Sequence, residues 1–185
     1  MKVTREQAEQ NRLKMVEAAA RLYRERGIEG IGIGELSRSV GLTHGGFYGQ
    51  FPGGKEELAC AAIERSFATS GQRWSEASSL EEVAERYLRP SHIDDCGEGC
   101  AIPALAADAS RAGGVVSEAF TEGVEHLLGI LAARTAGDTP QAKREQAMAA
   151  LASMAGALLI ARAVSDETLA LEVLEVVKDR LRGEE

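Results

Sequence analysis

Apolar positions recur every three or four residues along nearly the whole chain, and the two-residue alternation of half-buried strands is almost absent. This periodicity predicts an all-α protein. The first helix is expected from about Thr4 to Arg26. Thr4-Arg5-Glu6-Gln7 has the form of a capping box, with Thr4 as N-cap and Gln7 reaching back. Val16, Ala19, Ala20 and Tyr23 fall on one face, and Gly27 supplies a left-handed stop. Leu36 and Val40 give a second, short helix its apolar edge. Gly41 allows a turn, Thr43 caps a third helix, and Phe47 and Phe51 point inward four residues apart. Pro52-Gly53-Gly54 breaks the chain again.

A fourth helix is expected from Lys55 to about Arg73, with Leu58, Ala61, Ala62, Arg65 and Phe67 on one face. Ser79-Leu80-Glu81-Glu82 is a second capping box; the helix it opens ends near Pro90. Ser91 to Gly99, polar and glycine-containing, reads as a loop. Helices follow over Ala101–Arg111 and from Val115 to about Arg134, the latter with Phe120, Val124, Leu127, Leu128 and Leu131 on one side. Thr139-Pro140 is an N-cap followed by proline at the first helical position, opening a helix with Leu151, Ala155, Leu158 and Leu159 in register. Ser165 is expected to cap the last helix, whose stripe is Leu169, Val173, Val176, Val177 and Leu181. About nine helices result. The last two are more apolar than one small bundle needs, which predicts a four-helix interface between two copies.

The stretch that carries function lies near the front. Glu35-Leu36-Ser37-Arg38-Ser39-Val40, then Gly41-Leu42-Thr43-His44-Gly45-Gly46-Phe47-Tyr48-Gly49-Gln50-Phe51, then Lys55-Glu56-Glu57-Leu58 form a helix, a tight turn, a second short helix and a fresh helix start. That unit fits a protein helix into the DNA major groove. A net charge of -8 argues against it until the charge is mapped. Residues 1–55 hold nine Lys and Arg against six Asp and Glu, and the remainder twelve against twenty-three. A basic head on an acidic body suits a protein of which only the head meets phosphate. Gly30-Ile31-Gly32-Ile33-Gly34 lacks both the preceding strand and the lysine-serine/threonine end of a phosphate loop, so it reads as a link between helices.

Nothing at the N-terminus has the form of a signal peptide, and Ala147–Ala161, short and rich in small residues, reads as a buried helix rather than a membrane span. Three cysteines, Cys60, Cys96 and Cys100, cannot all pair within one chain, and a cytoplasmic setting is the simplest expectation. No nucleophile, base and orienting group stand out together, so no enzyme activity is expected.

From Ala18 to Leu58 the chain resembles the TetR family of bacterial transcriptional regulators. The resemblance is carried by Ala19-Ala20, Tyr23, Gly27, Gly30-Ile31, Glu35-Leu36-Ser37, Val40-Gly41-Leu42, Phe47-Tyr48, Phe51 and Lys55-Glu56-Glu57-Leu58. It implies a three-helix DNA-binding domain, over residues 1–53, and a ligand-binding and dimerisation domain over 54–185. It also implies a homodimer on a near-palindromic operator, joined through the last two helices, and release when a small molecule tilts the fourth helix. Carried over residue by residue, the recognition helix is His44 to Gln50. Thr43 and His44 reach bases or nearby phosphates, Gly45 and Gly46 allow close approach, Tyr48 and Lys55 meet phosphate, and Lys2 and Arg5 add contacts from the N-terminal arm. This chain departs from the family in Gly32-Ile33-Gly34, where threonine is usual, in Gly49 and Gln50, where a large or basic side chain and histidine are common, and in a Gly53-Gly54 spacer one residue longer. Direct base readout is therefore expected to be thin, with affinity leaning on phosphate and DNA shape.

Trp74, Tyr87, His92, Cys100, Phe120 and His126 are the large or polar side chains available to a pocket among the fifth to eighth helices. Few arginines and much apolar lining are expected there, which favours a small neutral or aromatic ligand over a multiply charged one. His92, Cys96 and Cys100 share a spacing of four, with Asp94 and Asp95 between, but no fourth zinc ligand is evident and no metal or other cofactor is expected. Two alternatives stand beside the ligand-responsive repressor. One is a thiol-based sensor acting through Cys100, its pKa lowered at a helix start and Cys96 the resolving partner. The other is a helical protein-interaction module.

Overall fold

The computed structural model describes residues 4–183. Ten helices and no strand occur among them: α1 (Arg5–Arg26), α2 (Ile33–Ser39), α3 (His44–Gln50), α4 (Gly54–Ser75), α5 (Leu80–Tyr87), α6 (Ser91–Asp94), α7 (Ala101–Ala112), α8 (Gly114–Ala132), α9 (Pro140–Ala163) and α10 (Glu167–Arg182). The helix beyond the expected nine is α6, in the stretch read as a loop. Pro90 precedes it with helical angles, φ -53° and ψ -42°, so the fixed ring angle starts a turn that composition alone hides.

Helix starts follow local capping chemistry. Thr4 Oγ1 accepts the Gln7 backbone N–H at 3.2 Å. Gln7 does not complete the box; its side chain donates to Asn11 Oδ1 at 3.0 Å, a partner one turn ahead. Ser79 Oγ accepts from Glu82 N at 3.1 Å, while the Glu82 carboxylate reaches past it to the Ser78 backbone N–H at 2.7 Å. Thr139 caps α9 through Ala142 N. The last helix is capped by Asp166 rather than Ser165. The Asp166 carboxylate takes two N–H groups, of Thr168 at 2.9 Å and Leu169 at 3.2 Å, against the positive helix end.

One core runs through the molecule. In the front three helices it is built from Met15, Ala19 and Tyr23 of α1, with Ile31, Leu36, Phe47 and Phe51. Helix α1 packs on both α4 and α7, and α4 packs most extensively on α8. That crossing is close because glycine sits at it on both sides. A Cβ on Gly123 would come within 2.1 Å of the Phe67 ring, and one on Gly71 within 2.5 Å of His126 Nε2. Helix α9 is long and apolar enough to cross a membrane. Here it packs between α8 and α10, burying Ala147, Leu151, Met154 and Leu158.

Of the stripe expected on α10, Leu181 is buried and Val173 and Val177 are half-buried, whereas Leu169 and Val176 are 43% and 62% exposed; Ala170 and Leu174 take the core positions instead. Met148, Leu159 and Ile160 of α9 are uncovered as well.

Candidate nucleic-acid interface and a cavity in the body

Helices α2 and α3 pack on each other across the turn at Gly41, whose φ of 73° a side chain would strain. Helix α2 begins at Gly32 with no side-chain cap, which fits the absence of threonine there. Helix α3 has one: Thr43 Oγ1 accepts the Gly46 N–H at 3.1 Å. Inside, Phe47 and Phe51 stack with ring centroids 5.4 Å apart, and both are fully buried. The Arg12 guanidinium lies 4.3 Å over the Phe51 ring, pairs with Glu57 at 3.0 Å and donates to the Gln50 carbonyl oxygen. One arginine of α1 thus fixes the end of α3 and the start of α4.

The outward face of α3 carries His44, Gly45, Tyr48 and Gly49, all exposed, with Gln50 and Gly46 half-buried. His44 and Tyr48 meet edge-on at 5.4 Å, and Tyr48 is 47% exposed. A Cβ at Gly45 or Gly49 would meet nothing within 4 Å, so nothing in the fold requires glycine at either position.

Most cations of the head are already engaged. Arg5 pairs with Glu9 at 3.2 Å, Arg21 with Glu25 at 2.9 Å, Arg26 with Glu35 at 2.7 Å and Lys55 with Glu29 at 3.0 Å. Lys14 and Arg38 make no ion pair among the described residues. Lys2 lies outside the described residues.

A cavity of about 360 Å³ lies behind this head, between α4, α5, α6 and the start of α7. Trp74 and Tyr87 meet edge-on in its wall at 5.7 Å, and His92 and Cys100 also line it. His92 is held at both nitrogens. Its Nδ1–H donates to the Tyr87 carbonyl oxygen at 2.8 Å, and Nε2 accepts the Cys100 backbone N–H at 3.1 Å. Burial, and then the nearby charges of Arg162, Arg89 and Arg73, lower its pKa to about 4, so the ring is neutral and both bonds are satisfied. With both nitrogens committed, His92 has none to offer a metal, and no three His, Cys, Asp or Glu side chains are placed to hold one among the described residues.

Cys100 is the N-cap of α7, its Sγ accepting the Ile102 N–H at 3.4 Å. Burial outweighs that bond and pushes the thiol pKa up, opposite to the lowering expected from a helix start. The segment before it is gripped from the head. Arg24 of α1 donates through Nε to the Gly97 carbonyl oxygen at 2.9 Å and through a terminal nitrogen to Ser66 Oγ.

Residues 15–62 match the family model described as bacterial regulatory proteins, tetR family. The chain is 28% identical over 184 residues to an HTH-type transcriptional regulator of Mycobacterium tuberculosis strain H37Rv, covering 93% of this chain and 92% of that one. It is 33% identical over 126 residues to the HTH-type transcriptional regulator LmrA of Bacillus subtilis, covering 68% of this chain and 57% of that one. The chain belongs to the TetR family. The fold agrees: reduced E. coli NemR superposes with a TM-score of 0.76 at 22% identity over 94% of this chain and 95% of its own. A TetR-family regulator of Cytophaga hutchinsonii gives 0.76 at 20% identity over 100% and 98%.

As a TetR-family protein the chain is a DNA-binding helix-turn-helix transcriptional regulator, and that membership, not a missing active site, is what sets it apart from enzymes. Of the residues singled out for DNA, Thr43, His44, Gly45, Tyr48 and Gly49 share one exposed patch, while Lys55 is half-buried in its pair with Glu29. Arg38, the one basic residue of α2, is also exposed. Of the residues singled out for a ligand, Trp74, Tyr87, His92 and Cys100 come together in the cavity wall. Phe120 instead packs on Phe67 at 5.2 Å, and His126 lies beside Gly71 at the α4–α8 crossing. Three arginines line the cavity, Arg73, Arg86 and Arg89, where few were expected.

Proposed function

We propose that this regulator is a ligand-responsive repressor that binds a near-palindromic operator as a homodimer and lets go when a small molecule enters the cavity. Residues 1–53 form the DNA-binding unit and 54–185 the ligand and dimer unit. Thr43, His44, Gly45, Gly46, Tyr48, Gly49 and Gln50 present α3 to the major groove, with Lys55 and Arg38 set toward phosphate. It acts in the cytoplasm, on chromosomal DNA.

The observation that carries this reading is the Arg24 grip on Gly97. Gly97 lies three residues before Cys100 of the cavity wall, and Arg24 lies on the helix that organises the head. A ligand that shifts the wall moves the carbonyl that Arg24 holds, and with it α1 and the recognition helix. Dimerisation is supported by the uncovered apolar side chains of α9 and α10, Leu159, Ile160, Leu169 and Val176 among them.

A mobility-shift titration on duplex DNA flanking its own gene, run beside sedimentation, tests the reading. The native chain is expected to sediment as a dimer and shift DNA. Val176→Glu with Ile160→Glu is expected to sediment as a monomer and lose DNA affinity by about 100-fold or more, since two half-sites are no longer linked. A native chain that sediments as a monomer, or a double variant that shifts DNA as well as the native chain does, would overturn it.

A further inference from the structure

The acidic body reverses its charge balance at the cavity. Outside the head, Asp and Glu outnumber Lys and Arg by twenty-three to twelve, yet the cavity is lined by three arginines and two glutamates. Two of the arginines are in use. Arg73 donates to the Glu98 carbonyl oxygen at 2.7 Å and lies 3.6 Å from its carboxylate, and Arg86 pairs with Glu82 one turn before it. Arg89 makes no side-chain hydrogen bond or ion pair among the described residues. A guanidinium with five donors and no acceptor, at the mouth of a cavity, is built for a carboxylate.

The other charges place that carboxylate. Arg162 donates to the His92 carbonyl oxygen at 2.6 Å, and Arg89 and Arg73 also act on the imidazole, so cations gather at the His92 end of the cavity. Glu76 is the lining carboxylate without a partner among the described residues, and it caps the C-terminal end of α4 beyond Trp74. The imidazole is neutral and fully bonded, so it adds neither charge nor a free donor. The apolar part of the wall is formed by Trp74, Tyr87 and Val83.

We infer that the cavity takes a small organic monoanion, its carboxylate held by Arg89 at the His92 end and its apolar body laid against Trp74. This rests on the ligand-responsive reading above and names the chemical class of its effector. About 360 Å³ suits a molecule the size of an arylalkyl carboxylate.

Trp74 is the sole tryptophan of the chain, so its emission reports on this cavity alone. The full chain, without DNA, is titrated with 3-phenylpropanoate, with 3-phenylpropanamide and with phenylalanine. The carboxylate is expected to change the emission saturably in the millimolar range or below, the amide to bind about tenfold more weakly, and zwitterionic phenylalanine to bind more weakly than the carboxylate because its ammonium adds a charge the arginines repel. Arg89→Gln is expected to weaken the carboxylate by about fivefold or more, leave the amide unchanged and, being at an exposed residue, leave the melting temperature unchanged. Saturable binding by none of the three overturns the inference. So does equal binding of amide and carboxylate, tighter binding of phenylalanine, or an Arg89→Gln titration identical to the native one. DNA binding is measured separately, so a chain that shifts operator DNA but fails these titrations refutes the ligand class and leaves the regulator intact.

Discussion

Lys55 Nζ lies 3.0 Å from Glu29 Oε2, so the lysine that opens α4 is held by a carboxylate from the link after α1. Glu29 is 85% exposed at its side chain and Lys55 only 25%, so under the proposed DNA contact the glutamate is the partner that gives way to a phosphate. Exposed pairs of this kind are worth about 0.2–1 kcal/mol. Glu29→Gln is therefore expected to raise DNA affinity by about two- to fivefold per protomer at low salt. Fluorescence anisotropy over a salt series measures this. Unchanged affinity would mean that Lys55 does not face phosphate.

Helix α3 has seven residues, three of them glycine, and two of those three have open space where a side chain would stand. Glycine in a helix costs about 0.5–1 kcal/mol relative to alanine. Gly49→Ala is thus expected to stabilise the free protein by about that amount and, if α3 enters the major groove as proposed, to weaken DNA binding, since the added methyl stands on the face turned to the groove. Thermal unfolding and a DNA titration on the same sample separate the two effects. A variant that gains stability and keeps full affinity would show that the glycine serves no contact.

The α4–α8 crossing gives a contrasting glycine. A Cβ on Gly123 would overlap the Phe67 ring, which is itself packed edge-on against Phe120. Gly123→Ala is expected to cost about 1–3 kcal/mol through overpacking, read as a lower urea midpoint. A midpoint equal to the native one would show that α4 and α8 separate without penalty.

His92 links stability to pH. Its pKa falls from the ordinary 6.5 to about 4 in the folded chain, chiefly by burial. The unfolded chain therefore takes up a proton first, and every step down from pH 6.5 toward 4 favours unfolding. The contribution of the neutral ring is intact above about pH 6.5 and declines below it, by about 1–2 kcal/mol between pH 7 and 5. His92→Gln lowers stability throughout, but its loss between pH 7 and 5 is expected to be smaller than that of the native chain by this amount. Parallel pH profiles for the two chains would contradict a neutral, buried His92.

What could be read in the sequence was what local chemistry determines. Thr43 as a cap and Phe47 and Phe51 as inward rings need only their neighbours to be recognised, whereas the bounds of α3 at His44 and Gln50 come from the family resemblance. The cap of α10 is Asp166 and not the expected Ser165, because both are good caps and only the geometry of two N–H groups chooses the carboxylate. On α10 the large apolar residues marked a face, but Ala170 and Leu174 face the core while Leu169 and Val176 do not, a division set by where α9 lies. The cavity was harder still. Arg73, Arg86 and Arg89 come from the end of α4, from α5 and from the turn after it, and no spacing announces that they converge. The bond from Arg24 to Gly97 spans 73 residues and left no trace in either local pattern.

The central claim is that α3, presented twice by a dimer, reads duplex DNA. Selection of the full-length protein against a pool of random duplexes tests it most directly. The account predicts enrichment of a near-palindrome whose half-sites are about one helical turn, 10 to 10.5 base pairs, or a multiple of it apart, with Tyr48→Ala enriching nothing. A pool that returns unenriched, or a selected site without two-fold symmetry, would contradict it.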